Sequence, residues 1–261
     1  MIPQPKGHGY ISPIITDTDY FRGVNSKLAG ESIKDDGDWR GFLPLAEHQA
    51  PTYETNGCSH FGTWNAVETN YKFLLGGELN ASDRLTLAAA KSIGILDPER
   101  GGTPKDAVEY IRKNWSVFER EFPASAAKSL EEFYAVPSKE LLQLAKNRLK
   151  EMGYLVKYEY IPNPTVPKIK EALKSGPVCF SNALLQLPDG RWYKPDGWRD
   201  THWAQAVYVY DDLLMRDSYP PYDKPIRGDF IPEVALRYQL NPEVALSIKA
   251  LLKAIREYLG L

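Results

Sequence analysis

Cysteine is scarce in this chain: 261 residues hold two, Cys58 and Cys179. Two thiols cannot build a disulfide framework, so the fold must rest on its core. The chain reads as one made in a reducing compartment, the cytoplasm. Long apolar runs are also missing. None reaches the roughly 18 residues of a membrane span. The first residues, Met-Ile-Pro-Gln-Pro-Lys-Gly-His-Gly, lack the charged-then-apolar layout of a secretory leader. Nor is there an excess of charge: 32 basic against 34 acidic side chains, net −2, pI near 6.1. That balance gives no electrostatic case for nucleic acid or for an anionic membrane as partner. The one dense acidic run, Asp35-Asp36-Gly37-Asp38, lacks the downstream bidentate Glu of a calcium loop and reads as a solvated turn. Neither a metal nor a cofactor is expected, and no internal repeat or low-complexity tract is found.

What is present is ordinary globular material, 43% hydrophobic and 25% charged. It suffices for one large domain or two lobes sharing a cleft. Residues 1–37, rich in Pro, Gly and Asp without a sustained period, read as an extended arm laid over a body. Residues 38–153 read as mostly helical. Helices are expected over 58–75, closed by Gly76-Gly77, over 85–92 behind Asn80-Ala81-Ser82-Asp83, over 105–115 behind Thr103-Pro104, and over 138–152. Residues 154–235 are richer in β-branched and aromatic side chains. Strands are expected over 154–161, 178–180, 204–210 and 213–216, with a short helix over 168–175. Residues 236–261 read as a C-terminal amphipathic helix starting at Asn241, with Val244, Ile248, Leu251, Ile255 and Leu259 on one side.

The stretch around which these parts are organised is Gly57-Cys58-Ser59-His60-Phe61. Phe61, Trp64, Val67, Tyr71 and Leu74 recur at helical spacing on one apolar face. Cys58 therefore sits at a helix N-terminus, where unpaired N–H groups and the helix dipole favour a thiolate over a thiol. Taken alone, a buried packing cysteine is the commoner explanation.

Other motifs reverse that weighting. Asp38-Trp39-Arg40, Pro44 through Gln49, Cys58-Ser59-His60-Phe61 with Ala66-Val67-Glu68, and Ser82-Asp83-Arg84 come first. Gly101-Gly102-Thr103-Pro104, Gly176-Pro177-Val178, Thr201-His202 and Arg216-Asp217-Ser218-Tyr219 follow. Together, in this order, they resemble the papain-like cysteine peptidases over about residues 38–222, as a remote member of bacterial or viral type. The resemblance implies an α+β fold of two lobes, helical then β-rich, with the cleft between them. It implies a catalytic set of Cys58 as nucleophile, His202 as base, Asp217 to orient the imidazole and Gln49 in the oxyanion hole. Gly101, Gly102 and Tyr219 would contact a peptide or protein substrate, Gly102 through its backbone. His202 follows Cys58 by 144 residues, a separation that fits this family. Ser59 and Tyr219 stand where tryptophans are usual, and Thr201 where Asn or Asp is usual. His48 and His60 are read as bystanders and Cys179 as strand core.

The function expected from this pattern is a thiol peptidase that cuts peptide or isopeptide bonds through an acyl-enzyme. The reading from a different class is a papain-fold structural or binding module. It would dock in a larger particle such as a virion, or self-associate, through residues 1–37 and 241–261.

Overall fold

The computed structural model describes residues 9–24, 28, 32–152 and 156–240, the side chains of 150–152 excepted. The helical half holds α1 (Cys58–Leu75), α2 (Asp83–Ser92), α3 (Pro104–Asn114), the single turn α4 (Leu130–Phe133) and α5 (Lys139–Met152). A two-residue antiparallel pair, β1 (Leu96–Asp97) and β2 (Gly101–Gly102), lies between α2 and α3. Caps set the boundaries. The Ser82 side chain accepts from Leu85 N at 3.2 Å and Thr103 accepts from Asp106 N at 3.0 Å. Gly76, left-handed at φ 71°, returns its N–H to Lys72 O.

α1 departs from the expected one-sided stripe. Every residue from 58 to 70 is buried, the polar ones included. The helix is sandwiched, with α2 and α3 on one side and the large sheet on the other. Part of its polar face is satisfied inside the protein, while His60 Nε2 and Asn70 Oδ1 are buried without a hydrogen-bond partner. Thr63 and Thr69 hydroxyls donate back to Ser59 O and Asn65 O, both at 2.6 Å, and Gln205 Nε2 donates to Thr69 Oγ1 at 3.1 Å.

The β-rich half is an eight-stranded mixed sheet. Its strands are β3 (Val156–Tyr160), β4 (Val178–Asn182), β5 (Leu185–Gln186), β6 (Trp192–Tyr193), β7 (His202–Val209), β8 (Leu213–Arg216), β9 (Asp223–Ile226) and β10 (Ala235–Leu240). The spatial order is β3-β10-β4-β7-β8-β9-β6-β5, antiparallel except between β6 and β9. α6 (Val166–Leu173) covers one face, and Trp39 Nε1 donates to its Leu173 carbonyl at 2.8 Å.

β10 is a correction to the sequence reading. Residues 236–240, assigned above to a C-terminal helical element, form a fully buried strand between β3 and β4. Arg237 and Gln239 interrupt its apolar pattern. Arg237 is buried at a cost offset by Glu159, whose Oε1 accepts from Nε at 2.7 Å, and by Ser175 O. The helix expected from Asn241 lies outside the described residues.

The described part of the arm is extended and docked. Tyr160 N donates to Tyr20 O at 2.7 Å and Arg22 N to Tyr160 O at 2.9 Å, lengthening the β3 edge. Asp19 pairs with Lys105 of α3 at 2.7 Å.

Candidate active site

Asn56 turns the chain into α1 at φ 51°, its N–H held by Glu54 Oε1 at 2.7 Å and its side chain by Pro98 O. A Cβ at Gly57 would lie 2.8 Å from Leu87 Cδ1, so any larger residue there would displace the Leu87 side chain of α2. Cys58 is then the first residue of α1 and has 0% exposure. Its neighbourhood is a helix N-terminus with unpaired N–H groups.

His202 is the first residue of β7, opposite Asn182 of β4, and Asp217 follows directly on β8. The β7–β8 pairing brings them together: His202 Nε2 meets Asp217 Oδ1 at 2.6 Å. The ring nitrogen left for the sulfur is Nδ1, and Cys58 acts electrostatically on this same imidazole. Burial alone would push the His202 pKa down. The charges of Asp217 and Cys58 outweigh it and hold the imidazole up at about 10. Burial likewise opposes charge on Asp217, and His202 and Lys224 override it, keeping the carboxyl well below the usual range.

Lys224 is a residue the motif reading missed. On β9 it pairs with Asp217 Oδ2 while its ammonium sits 4.8 Å from the Trp192 ring centre. Its place opposite Met215 follows from the β8–β9 register, which no local sequence signal marks.

Gln49 is fully buried beside this group. Its backbone N–H donates to Ser218 O at 3.1 Å and its Oε1 accepts from Ser218 Oγ at 2.6 Å. Its Nε2 donates to Glu54 Oε1 at 2.9 Å and to Tyr219 OH at 2.6 Å. Tyr219 also donates to Glu54, and its ring tilts over His202 with centroids 5.4 Å apart. Glu54, the hub of this network, carries no motif signal either.

The remaining candidates separate cleanly. His60 is fully buried, and desolvation drops its pKa to about 3, which keeps it neutral. His48 stacks edge-on against Tyr219 and Tyr222. Cys179 lies in β4, its Sγ directed to Gly62 O at 3.1 Å, and burial pushes its thiol pKa up. Gly101 and Gly102 lie within reach of the site but are already paired. Gly102 N donates to Gly9 O and Ile11 N to Gly102 O, both at 3.1 Å. On the other side of His202 a cavity of about 190 Å³ is lined by Asn182, Leu184, Trp192, Thr201 and Tyr219. Larger clefts of about 430 and 510 Å³ lie beside Pro162 and beside Trp198, away from Cys58 and His202.

No protein-family model matches the chain, and no curated protein matches it by sequence. Its architecture is similar to solved cysteine proteases. The bromelain protease from Ananas comosus in complex with the E64 inhibitor aligns at TM-score 0.55 and 19% identity, covering 78% of this chain and 98% of that one. The Carica candamarcensis protease CMS1MS2 with E-64 aligns at TM-score 0.53 and 17% identity, over 78% and 97%. Procathepsin L 3 of the Tenebrio molitor larval midgut aligns at TM-score 0.54 and 14% identity, over 85% and 73%. The fold is therefore papain-like, an α+β arrangement of two lobes.

Proposed function

We propose that the chain is a cysteine peptidase acting on peptide or isopeptide bonds. The observation that carries this reading is one buried chain of contacts. Cys58 from the helical lobe acts electrostatically on the His202 imidazole of the β lobe, and Asp217 holds Nε2 of that ring at 2.6 Å. With its pKa held up at about 10, the His202 imidazole keeps its proton through neutral pH, ready for delivery to a leaving amine.

In the reaction, the thiolate attacks the scissile carbonyl carbon and the C–N bond breaks. The departing amine takes the His202 proton, leaving a thioester on Cys58. Water then gives a proton to His202 as it attacks the thioester, and the acid product leaves with the thiolate restored. The Cys58 backbone N–H, at the start of α1, is a donor for the oxyanion. Gln49 is the second, one Nε2 hydrogen turning to the substrate oxygen from Tyr219 or Glu54. Asp217 fixes the ring and is itself fixed by Lys224.

One observation favours the docking-module reading, namely that Cys58 has no exposure in this conformation. The two are told apart by hydrolysis of a quenched peptide library. Turnover is expected that vanishes in Cys58→Ala and survives in Cys179→Ala. Equal turnover in both variants, or none under any condition, would sink the peptidase reading.

A further inference from the structure

Lys224 is a cation buried beside a carboxylate that already has a partner. It is 5% exposed on β9, between β8 and β6, and the β8–β9 register sets it opposite Met215. Asp217 divides its two oxygens. Oδ1 meets His202 Nε2 at 2.6 Å and accepts from Tyr219 N at 3.2 Å, while Oδ2 takes the Lys224 ammonium. The same ammonium sits 4.8 Å from the Trp192 ring centre. Trp192 is placed by β6, which pairs with Ile226 of β9, and Arg227 N donates to Trp192 O at 3.0 Å. An indole face and a carboxylate together offset the burial of one positive charge.

Two cations thus share one carboxylate. The charge on Lys224 is felt by the ring, because like charges in a buried site disfavour one another. The other titratable groups around the ring are Cys58 at the start of α1, Tyr219 over its face, and Glu54 bonded to the Tyr219 hydroxyl. His48 meets Tyr219 and Tyr222 edge-on, and Arg216 is paired with Asp223. Among the described residues, Lys224 is the one cation besides His202 that pairs with Asp217.

We propose that Lys224 is a positioning residue of this site: it pins Asp217 through Oδ2, leaves Oδ1 to the ring, and tempers the carboxylate's pull on the imidazole proton. Trp192 keeps the ammonium in place. The charge argument concerns the ring alone. Its consequence for catalysis rests on the peptidase reading. An imidazole held up at about 10 is already a reluctant acid toward a leaving amine, and a carboxylate without its second cation would make it more so.

The test uses the full chain, with the His202 ring followed by NMR between about pH 8 and pH 12. Lys224→Met keeps the length of the side chain and removes its charge, so the His202 titration is expected to move up by about one unit. Lys224→Gln can still donate to Oδ2, and stays informative if Lys224→Met fails to fold. The same upward move is expected there, because charge is lost while the contact is kept. Lys224→Arg keeps the charge and should titrate with the parent chain. An unmoved titration in either uncharged variant, melting cooperatively, would overturn the proposal. So would equal shifts in Lys224→Arg and Lys224→Met, which would mark packing and not charge.

For turnover of a quenched peptide, Lys224→Met should lower kcat about tenfold with KM within about twofold, and Lys224→Arg should restore most of it. If the titration moves as expected while the parent chain cleaves no peptide, the role of Lys224 at the ring stands and the peptidase function falls. If the parent cleaves and Lys224→Met matches its kcat despite a moved titration, the function stands and the catalytic consequence falls.

Discussion

Asp217 and Asp83 are the same residue type at nearly the same burial, 4% and 2% exposed, yet their pKa values move in opposite directions. Burial raises the pKa of both. Around Asp217 the β lobe supplies His202 and Lys224, and the carboxyl stays ionised. Around Asp83 the helical lobe supplies more carboxyls, Glu47 foremost, then Glu68 and Glu119, and its pKa rises well above the usual value. Glu68 is raised in the same way, its Oε1 accepting from Ala81 N at 2.8 Å. Burial sets the penalty for charge, and neighbours decide whether it is met. One lobe has built an ionic site, and the other gathers buried carboxyls whose pKa values are raised.

The contrast is tested most severely by deleting each acid. Asp217→Ala strands a buried Lys224 and should cost about 3–5 kcal/mol, the range for breaking one side of a buried pair. Asp83→Asn keeps the shape where burial and neighbouring carboxyls already disfavour the charge, and should change stability by less than about 1 kcal/mol. Urea melts at neutral pH measure both, and equal losses would erase the distinction.

A gentler change, Asp217→Asn, keeps the shape and removes the charge. Without the carboxylate the His202 imidazolium loses support. The alkaline limb of Cys58 alkylation should then move to lower pH by about one unit or more. An unmoved limb would mean that Asp217 does not govern the ring.

The two lobes should also fail at opposite ends of the pH scale. The folded pKa of Asp217 lies below its unfolded value of about 3.9. Its contribution is therefore present above that value and lost as pH falls through the folded one. Burial, with added repulsion from Glu47, raises Glu119 to about 7, above an unfolded value of about 4.3. Its contribution is full below about 4.3 and lost as pH rises through 7. Glu119→Gln should flatten the decline in melting temperature between about pH 5 and pH 8, leaving the acid side unchanged. The smallest effect is expected from Glu47→Gln, which removes one source of repulsion. It should raise the melting temperature slightly at pH 8 and leave it unmoved at pH 5.

The parts of the fold legible in the sequence were those with local causes. Ser82, Thr103-Pro104 and Gly76 mark helix ends because capping is a matter of neighbouring backbone groups. β10 was not legible, because the partners that make Arg237 tolerable, Glu159 and Ser175 O, are more than 60 residues away in the chain. The site divides in the same way. Cys58, His202 and Asp217 stand in motifs, whereas Lys224 and Glu54 reach it through strand register and a loop. Gly102 was foreseen as the edge for an extended chain, but that the arm itself takes that edge depends on Gly9 meeting Asn56, a contact between distant segments.

The position of β10 has a consequence for how the molecule is made. This strand lies between β3 and β4, and its Tyr238 carbonyl accepts from Asn70 of α1 at 3.4 Å. Synthesis runs from the arm toward β10, so α1 emerges from the ribosome long before the strand it rests on. The sheet cannot close, and α1 cannot be sandwiched, until residue 240 has left the exit tunnel. A nascent chain therefore carries Cys58 without its paired imidazole for most of its synthesis, and the thiol acquires its partner only in the last stage of folding.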